Sequence, residues 1–214
     1  MCYNKDISIY TYVIGLVSSY LLLTSKKKSL KILGCFFIIV IQMQLVEYYL
    51  WSNNKCNSKN ITISNIGAFL NFIQPIILYI AILYYNKDIT NDRKNILHIT
   101  IFLYILSVFI YSLNLFPIGC SSVTEISAPY LQWGWAYKKY PNFITIMFPI
   151  AFVILMYYGL DKTYNLYMSL IFLISFLISY IIYKKQRSFG TIWCWFAAFI
   201  PIGILVYDKF FISS

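Results

Sequence analysis

The sequence predicts an all-α polytopic membrane protein, a bundle of seven transmembrane helices, with six as the alternative count. Three observations carry this. Of 214 residues, 60% are hydrophobic and only 11% are charged, where soluble domains average about 25% charged. The apolar residues gather in continuous runs of about 20, the length that crosses a hydrocarbon core. Short polar, charged connectors separate the runs. Continuous rather than alternating hydrophobicity also argues against a β-barrel.

The runs fall at about 7–25, 31–51, 63–85, 96–116, 143–160, 163–183 and 189–207. The connectors read SKKKSLK, SNNKCNSKN, NKDITNDRKN, a long loop over 117–142, LDK and KKQRS. The first run ends against Lys26-Lys27-Lys28, as a stop-transfer segment does, and lacks the Ala-x-Ala-like site of a cleaved signal peptide. The fifth run is short and contains Pro149, which is why six spans is the alternative. With no repeat and no separate soluble part, residues 1–214 read as a single integral membrane domain.

The net charge of +10 does not indicate nucleic acid, because the basic residues are scattered over connectors. They fit topology and contact with membrane lipid instead. Lys26, Lys27, Lys28 and Lys31 crowd the first connector and assign it to the cytoplasm. Seven spans then put the N-terminus outside and the C-terminus in the cytoplasm. Lys184, Lys185 and Arg187 oppose that orientation.

The 117–142 loop holds three prolines and the stretch YLQWGWAYKKYP. It is too long for a tight turn and is expected to fold over one mouth of the bundle. Trp133 and Trp135 read as members of an interfacial aromatic belt, in preference to a cap over a pocket. Cys56 and Cys120 lie in the second and fourth connectors, on one face of a seven-span bundle. They form either a disulfide, if that face is lumenal, or two free thiols. Asn60-Ile61-Thr62 matches the N-glycosylation pattern, but it sits beside a span where access is poor. No zinc-type cysteine spacing is present. The lone His98 reads as a helix-end hydrogen-bonding residue.

One carboxylate stands apart. Of seven Asp and Glu residues, only Glu47 falls well inside a span. A charge at the centre of a helix costs roughly 2.5–3.5 kcal/mol on insertion scales, and less near the interface. Glu47 therefore should face the bundle or water. Gln44 lies three residues earlier on the same face, and Trp51 four residues later. In the third span, Asn71 and Gln74 share a face, and counting from the common loop puts them near the depth of Gln44 and Glu47. Pro75 withholds the N–H that would bond the Asn71 carbonyl. Trp193 and Trp195 of the last span are expected to line the mouth of this polar focus, and Pro201 breaks the helix below them. Glu47, Gln44, Asn71, Gln74, Trp193 and Trp195 are thus the candidate site. The competing reading is that the amides are packing glue, at about 0.6 kcal/mol per hydrogen bond.

Several seven-span classes are excluded by residues. A retinal protein needs a lysine inside its last span, but Lys209 lies at the very end. Ceramidase-like hydrolases need several histidines, and the chain has one. The acidic-Arg-Tyr triplet of G-protein-coupled receptors is missing after the third span. YVIGLVSSYLL, QLVEYYLW, NFIQPI and GTIWCWFAAFIP together resemble an uncharacterised multi-pass membrane protein family of large DNA viruses, mimivirus-like giants included. That resemblance implies a viral membrane protein and carries over no catalytic residue.

The sequence thus points to a protein that binds or passes a small cation, proton or polar solute around Glu47. The alternative is a structural or interaction protein of a viral or host membrane. An enzyme is not expected, because the sequence identifies no acid–base or metal partner for Glu47. No cofactor is implied, and no protein partner is defined.

Overall fold

A computed structural model describes residues 4–123, 131–135, 141–183 and 188–212. Seven helical passes dominate it. Helices α1 (Lys5–Leu23), α2 (Lys28–Ser52), α3 (Ser58–Tyr85) and α4 (Asn91–Leu115) come first. A two-residue hairpin, β1 (Ser122–Val123) with β2 (Leu131–Gln132), follows. Then come α5 (Pro141–Gly159), α6 (Lys162–Tyr183) and a broken last pass, α7 (Phe189–Ala197) and α8 (Ile200–Tyr207). A π-helical turn over Asp208–Ile212 ends the described chain. The chain is a polytopic membrane helix bundle. Six segments are long and apolar enough to cross a membrane, and α5 is a shorter apolar helix.

Cross-links between connectors fix the direction of each pass. On one face, Lys27 pairs with Asp208 at 2.7 Å and Lys28 pairs with Asp88. The Ser29 hydroxyl donates to Asp161 at 2.8 Å, and the Asn86 amide donates to the Gly159 carbonyl at 3.0 Å. The adjacent Lys28 ammonium holds the Asp88 carboxyl below its ordinary range. On the opposite face, Cys56 and Cys120 form a disulfide. Connectors one, three and five therefore share a face with the end of α8, so the chain traverses the bundle seven times. The α5 pass is short, yet it is one of them.

Helix α2 is the axis of the bundle. It packs against α1, α3, α7 and α8. Within its membrane window 67% of residues are buried, against 33–44% for the other candidate spans. Helix α1 meets α2 through a stripe of small and polar residues: Ser8, Thr11, Gly15, Ser18 and Ser19 are all buried. Small side chains let two membrane helices approach closely. The approach is tight at Gly34, where a Cβ would fall 2.5 Å from the Leu23 backbone nitrogen. The last pass breaks where Pro201 cannot donate a backbone N–H, so α8 restarts at Ile200.

The described parts of the long loop, residues 117–123 and 131–135, pack on one mouth of the bundle. Asn60, in the first turn of α3, is its anchor. The Asn60 amide donates to the Asn53 carbonyl at 2.7 Å and to the Ser121 carbonyl at 3.0 Å. Its oxygen accepts from the Ser121 N–H at 2.9 Å. Ser64 and Ser121 hydroxyls meet at 2.8 Å, and the Gly134 N–H donates to Ser121 at 3.0 Å. Asn60 is fully buried. Its side-chain nitrogen is committed twice, so the folded protein leaves no room for a glycan there.

Candidate functional site

The Glu47 region is assembled by α1, α2 and α7. Glu47 and Gln44 are completely buried, one turn apart on α2. The Gln44 amide donates to Glu47 at 3.3 Å. The Thr11 hydroxyl of α1 donates to the Gln44 oxygen at 2.7 Å. Cys194 of α7 is buried and lies within electrostatic reach of Glu47. The result is a short polar chain, Thr11–Gln44–Glu47, set between apolar helix faces.

This chain has a useful property. A side-chain amide carries a donor and an acceptor that exchange places when it rotates by half a turn. With Glu47 ionised, Gln44 donates to it and accepts from Thr11. With Glu47 protonated, the rotated amide accepts from Glu47 and donates to Thr11. The Thr11 hydroxyl then turns to the Ile7 carbonyl at 2.9 Å or the Ser8 carbonyl at 3.0 Å. In either charge state Gln44 keeps one hydrogen bond to Glu47 Oε2, while the buried Glu47 Oε1 has no hydrogen-bond partner among the described residues.

A pair of stacked indoles packs against α3 and α7. Trp133 and Trp135 sit 4.8 Å apart at 19° and are 5% and 2% exposed. This corrects the belt expectation, since belt residues sit at the lipid interface and these rings are sealed from it. Glycines make space for them. A Cβ on Gly67 would lie 2.5 Å from the Trp135 ring, and one on Gly190 would lie 2.5 Å from the Trp133 ring. The Tyr111 hydroxyl donates to the Trp135 carbonyl at 2.9 Å, and Thr191 to the Leu131 carbonyl at 3.0 Å. Gly190 and Cys194 are four residues apart on one face of α7. The Gly67 position that meets Trp135 also meets the Val46 side chain, so the indole pair lies near the level of Val46, the residue before Glu47.

Other expected members stand elsewhere. Trp193 packs edge-on against Phe148, Phe172 and Phe176, between α5 and α6. Its indole N–H donates to Ser175 at 3.3 Å. Trp195 is two residues on, about 200° around the helix, and contacts Phe196 and Phe199. The two rings do not form a common mouth.

Helix register separates the α3 amides from Glu47. A Cβ on Gly67 would lie 3.0 Å from the Val46 side chain, so these residues are level. Gln74 is seven residues deeper than Gly67, about 10 Å, whereas Gln44 is about 3 Å deeper than Val46. Gln74 is fully buried, and neither of its amide atoms has a hydrogen-bond partner among the described residues. Asn71 is half-buried. One turn before Pro75, which lies inside α3, the Tyr104 hydroxyl donates to the Phe72 carbonyl at 3.0 Å.

Thr11 escaped the sequence reading. Its signal is the small-residue stripe of α1, Ser8, Thr11, Gly15 and Ser18, at helical spacing. Among the described residues no three His, Cys, Asp or Glu side chains gather as a metal site. No family model, curated protein or solved structure matches the chain.

Proposed function

We propose that this membrane protein takes up and releases a proton, or binds a small cation in its place, at Glu47. The observation that carries the reading is the buried Thr11–Gln44–Glu47 chain, in which rotating one amide keeps the Gln44–Glu47 hydrogen bond in either charge state of the carboxyl. A membrane-embedded acid is a costly residue to insert. A glutamine would bond Gln44 at lower cost. The Trp133–Trp135 pair is stacked and buried against α3 and α7. Pro75 and Pro149 inside α3 and α5, and the break at Pro201 in the last pass, supply places where such a bundle bends.

The disulfide on the cap side supports a lumenal or extracellular position for that face. With the lysines of the first connector, this supports an orientation with the N-terminus outside and the C-terminus in the cytoplasm.

The sealed burial of Glu47 favours a second reading, in which the polar chain only locks α1 onto α2. The protein is then a structural or interaction component of its membrane, viral by the resemblance of its motifs. Thermal unfolding in nanodiscs separates the two. A ligand at 100 times its Kd stabilises by about 2.7 kcal/mol. The functional reading requires stability that shifts with pH or with added Na+ or K+ in the wild type and not in Glu47→Gln. Equal responses in both proteins support the structural reading.

A further inference from the structure

The last pass breaks inside the bundle and leaves two carbonyls without a backbone donor. Around the break, the Ala198 N–H bonds the Cys194 and Trp195 carbonyls, the Phe199 N–H bonds Phe196, and the Gly203 N–H bonds Phe199. The Ala197 and Ala198 carbonyls are passed over, and no backbone N–H among the described residues reaches them. For Ala197 the cause is Pro201, which has no N–H to give. Both alanines are buried, at 1% and 0% exposure. A carbonyl at membrane depth must find a partner or line a wet cavity.

The break lies beside the Thr11–Gln44–Glu47 chain. A Cβ on Gly15 would fall 3.2 Å from the Ala198 oxygen and 2.3 Å from the Ile41 side chain. Gly15 is four residues after Thr11 on α1, and Ile41 is three before Gln44 on α2. The two helices run in opposite directions, so both positions lie one turn toward the first connector from the Thr11–Gln44 bond. The Ala198 carbonyl therefore enters the α1–α2 seam about 5 Å along the helices from that bond. Helical side chains lean toward the N-terminus of their helix. On α2 that direction is toward the first connector, so Gln44 and Glu47 lean toward the level of the break. Cys194, one turn before Ala198 on α7, is within electrostatic reach of Glu47.

We infer, on the reading that Glu47 is the working group of this protein, that Glu47 and the break in the last pass together bind one monovalent cation. Its ligands are the Glu47 carboxylate, the Gln44 oxygen, the Thr11 hydroxyl and the Ala197 and Ala198 carbonyls. All are hard oxygen donors, the kind that alkali and alkaline-earth cations take. The Thr11 hydroxyl can donate to the Ile7 carbonyl, which leaves its lone pairs and the Gln44 oxygen for the ion. The C-terminal end of α7 adds the negative end of a helix dipole. That end and the carboxylate repel each other until a cation stands between them. Unwound carbonyls and half-helix C-termini hold Na+ near the midplane of many transporters. Charge balance sets the valence. Of seven carboxylates only Glu47 falls well inside a span. A monovalent ion cancels it, whereas a divalent ion leaves a costly net charge in the membrane.

The test is thermal unfolding of the full chain in nanodiscs, with Na+ or K+ replacing N-methyl-D-glucamine at constant ionic strength. The wild-type Tm should rise by about 5 °C at saturating cation, and Glu47→Gln should lose the rise. Pro201→Ala supplies the N–H that the Ala197 carbonyl lacks. It should raise the half-maximal cation concentration about tenfold and keep the wild-type response of Tm to pH. If Pro201→Ala does not fold, Pro201→Gly restores the same N–H. Gly203→Ala, beside open space on α8, should behave as the wild type. An unchanged half-maximal concentration in a folded Pro201 variant overturns the role of the break and leaves Glu47 as a cation site. A wild type that answers to pH and to neither cation overturns the inference and leaves the proton reading. A wild type that answers to none of these overturns both. A response to Ca2+ or Mg2+ alone overturns the monovalent assignment.

Discussion

The Thr11 hydroxyl and the Gln44 side-chain oxygen, on adjacent helices, are 2.7 Å apart and both buried. This bond fixes the orientation of the amide that faces Glu47. Thr11→Val keeps the shape and removes the donor. Thermal unfolding should show a loss of about 1 kcal/mol. Thr11→Ser should restore most of it. A Thr11→Val protein as stable as the wild type would show that the bond is energetically idle.

Gly67 and Gly190 face the indole pair with no room for a methyl group. Gly67→Ala and Gly190→Ala should each destabilise by about 1–3 kcal/mol, the usual range for overpacking. Tryptophan fluorescence should also shift as the rings are displaced. Gly203, where an added Cβ would meet nothing within 4 Å, is the control. Gly203→Ala should leave both readouts unchanged.

Asn60 should be found without a glycan when the folded protein from a eukaryotic host is weighed intact. Its amide nitrogen already serves two carbonyls. Asn60→Ala strands Ser121 and the Asn53 carbonyl, and should cost about 2–3 kcal/mol in thermal unfolding. A glycosylated, fully stable protein would contradict the anchor role.

The Cys56–Cys120 bridge spans 64 residues of sequence and ties the cap loop to the α2–α3 connector. Cys120→Ser should lower stability by about 2–4 kcal/mol. It should also loosen the indole pair, read as faster quenching of tryptophan fluorescence by acrylamide. Unchanged quenching would show that the Asn60 network holds the cap alone.

Much of this was legible in the sequence, and the failures have physical causes. Continuous apolar runs located every pass, because lipid demands a hydrogen-bonded helix of fixed length. Gln44 and Glu47 were legible as a pair from their three-residue spacing. Thr11 was not, since the small-residue stripe of α1 marks a packing face but not which of its hydroxyls reaches across to α2 and which bonds its own backbone. The depth of Gln74 was misjudged because side-chain packing, as at Val46 and Gly67, sets antiparallel register, and loop length does not. Trp133 and Trp135 could be belt or cap by composition. Only Gly67 and Gly190, distant in sequence, reveal which. Trp193 and Trp195 were grouped by nearness in sequence, although a two-residue step puts them on opposite sides of α7.

The most direct measurement is proton and cation flux in proteoliposomes, comparing the wild type with Glu47→Gln at equal insertion and fold. Flux in the wild type that vanishes in Glu47→Gln is the predicted result. No flux in either protein, together with a less stable variant, would contradict it and leave Glu47 as part of the packing between α1 and α2.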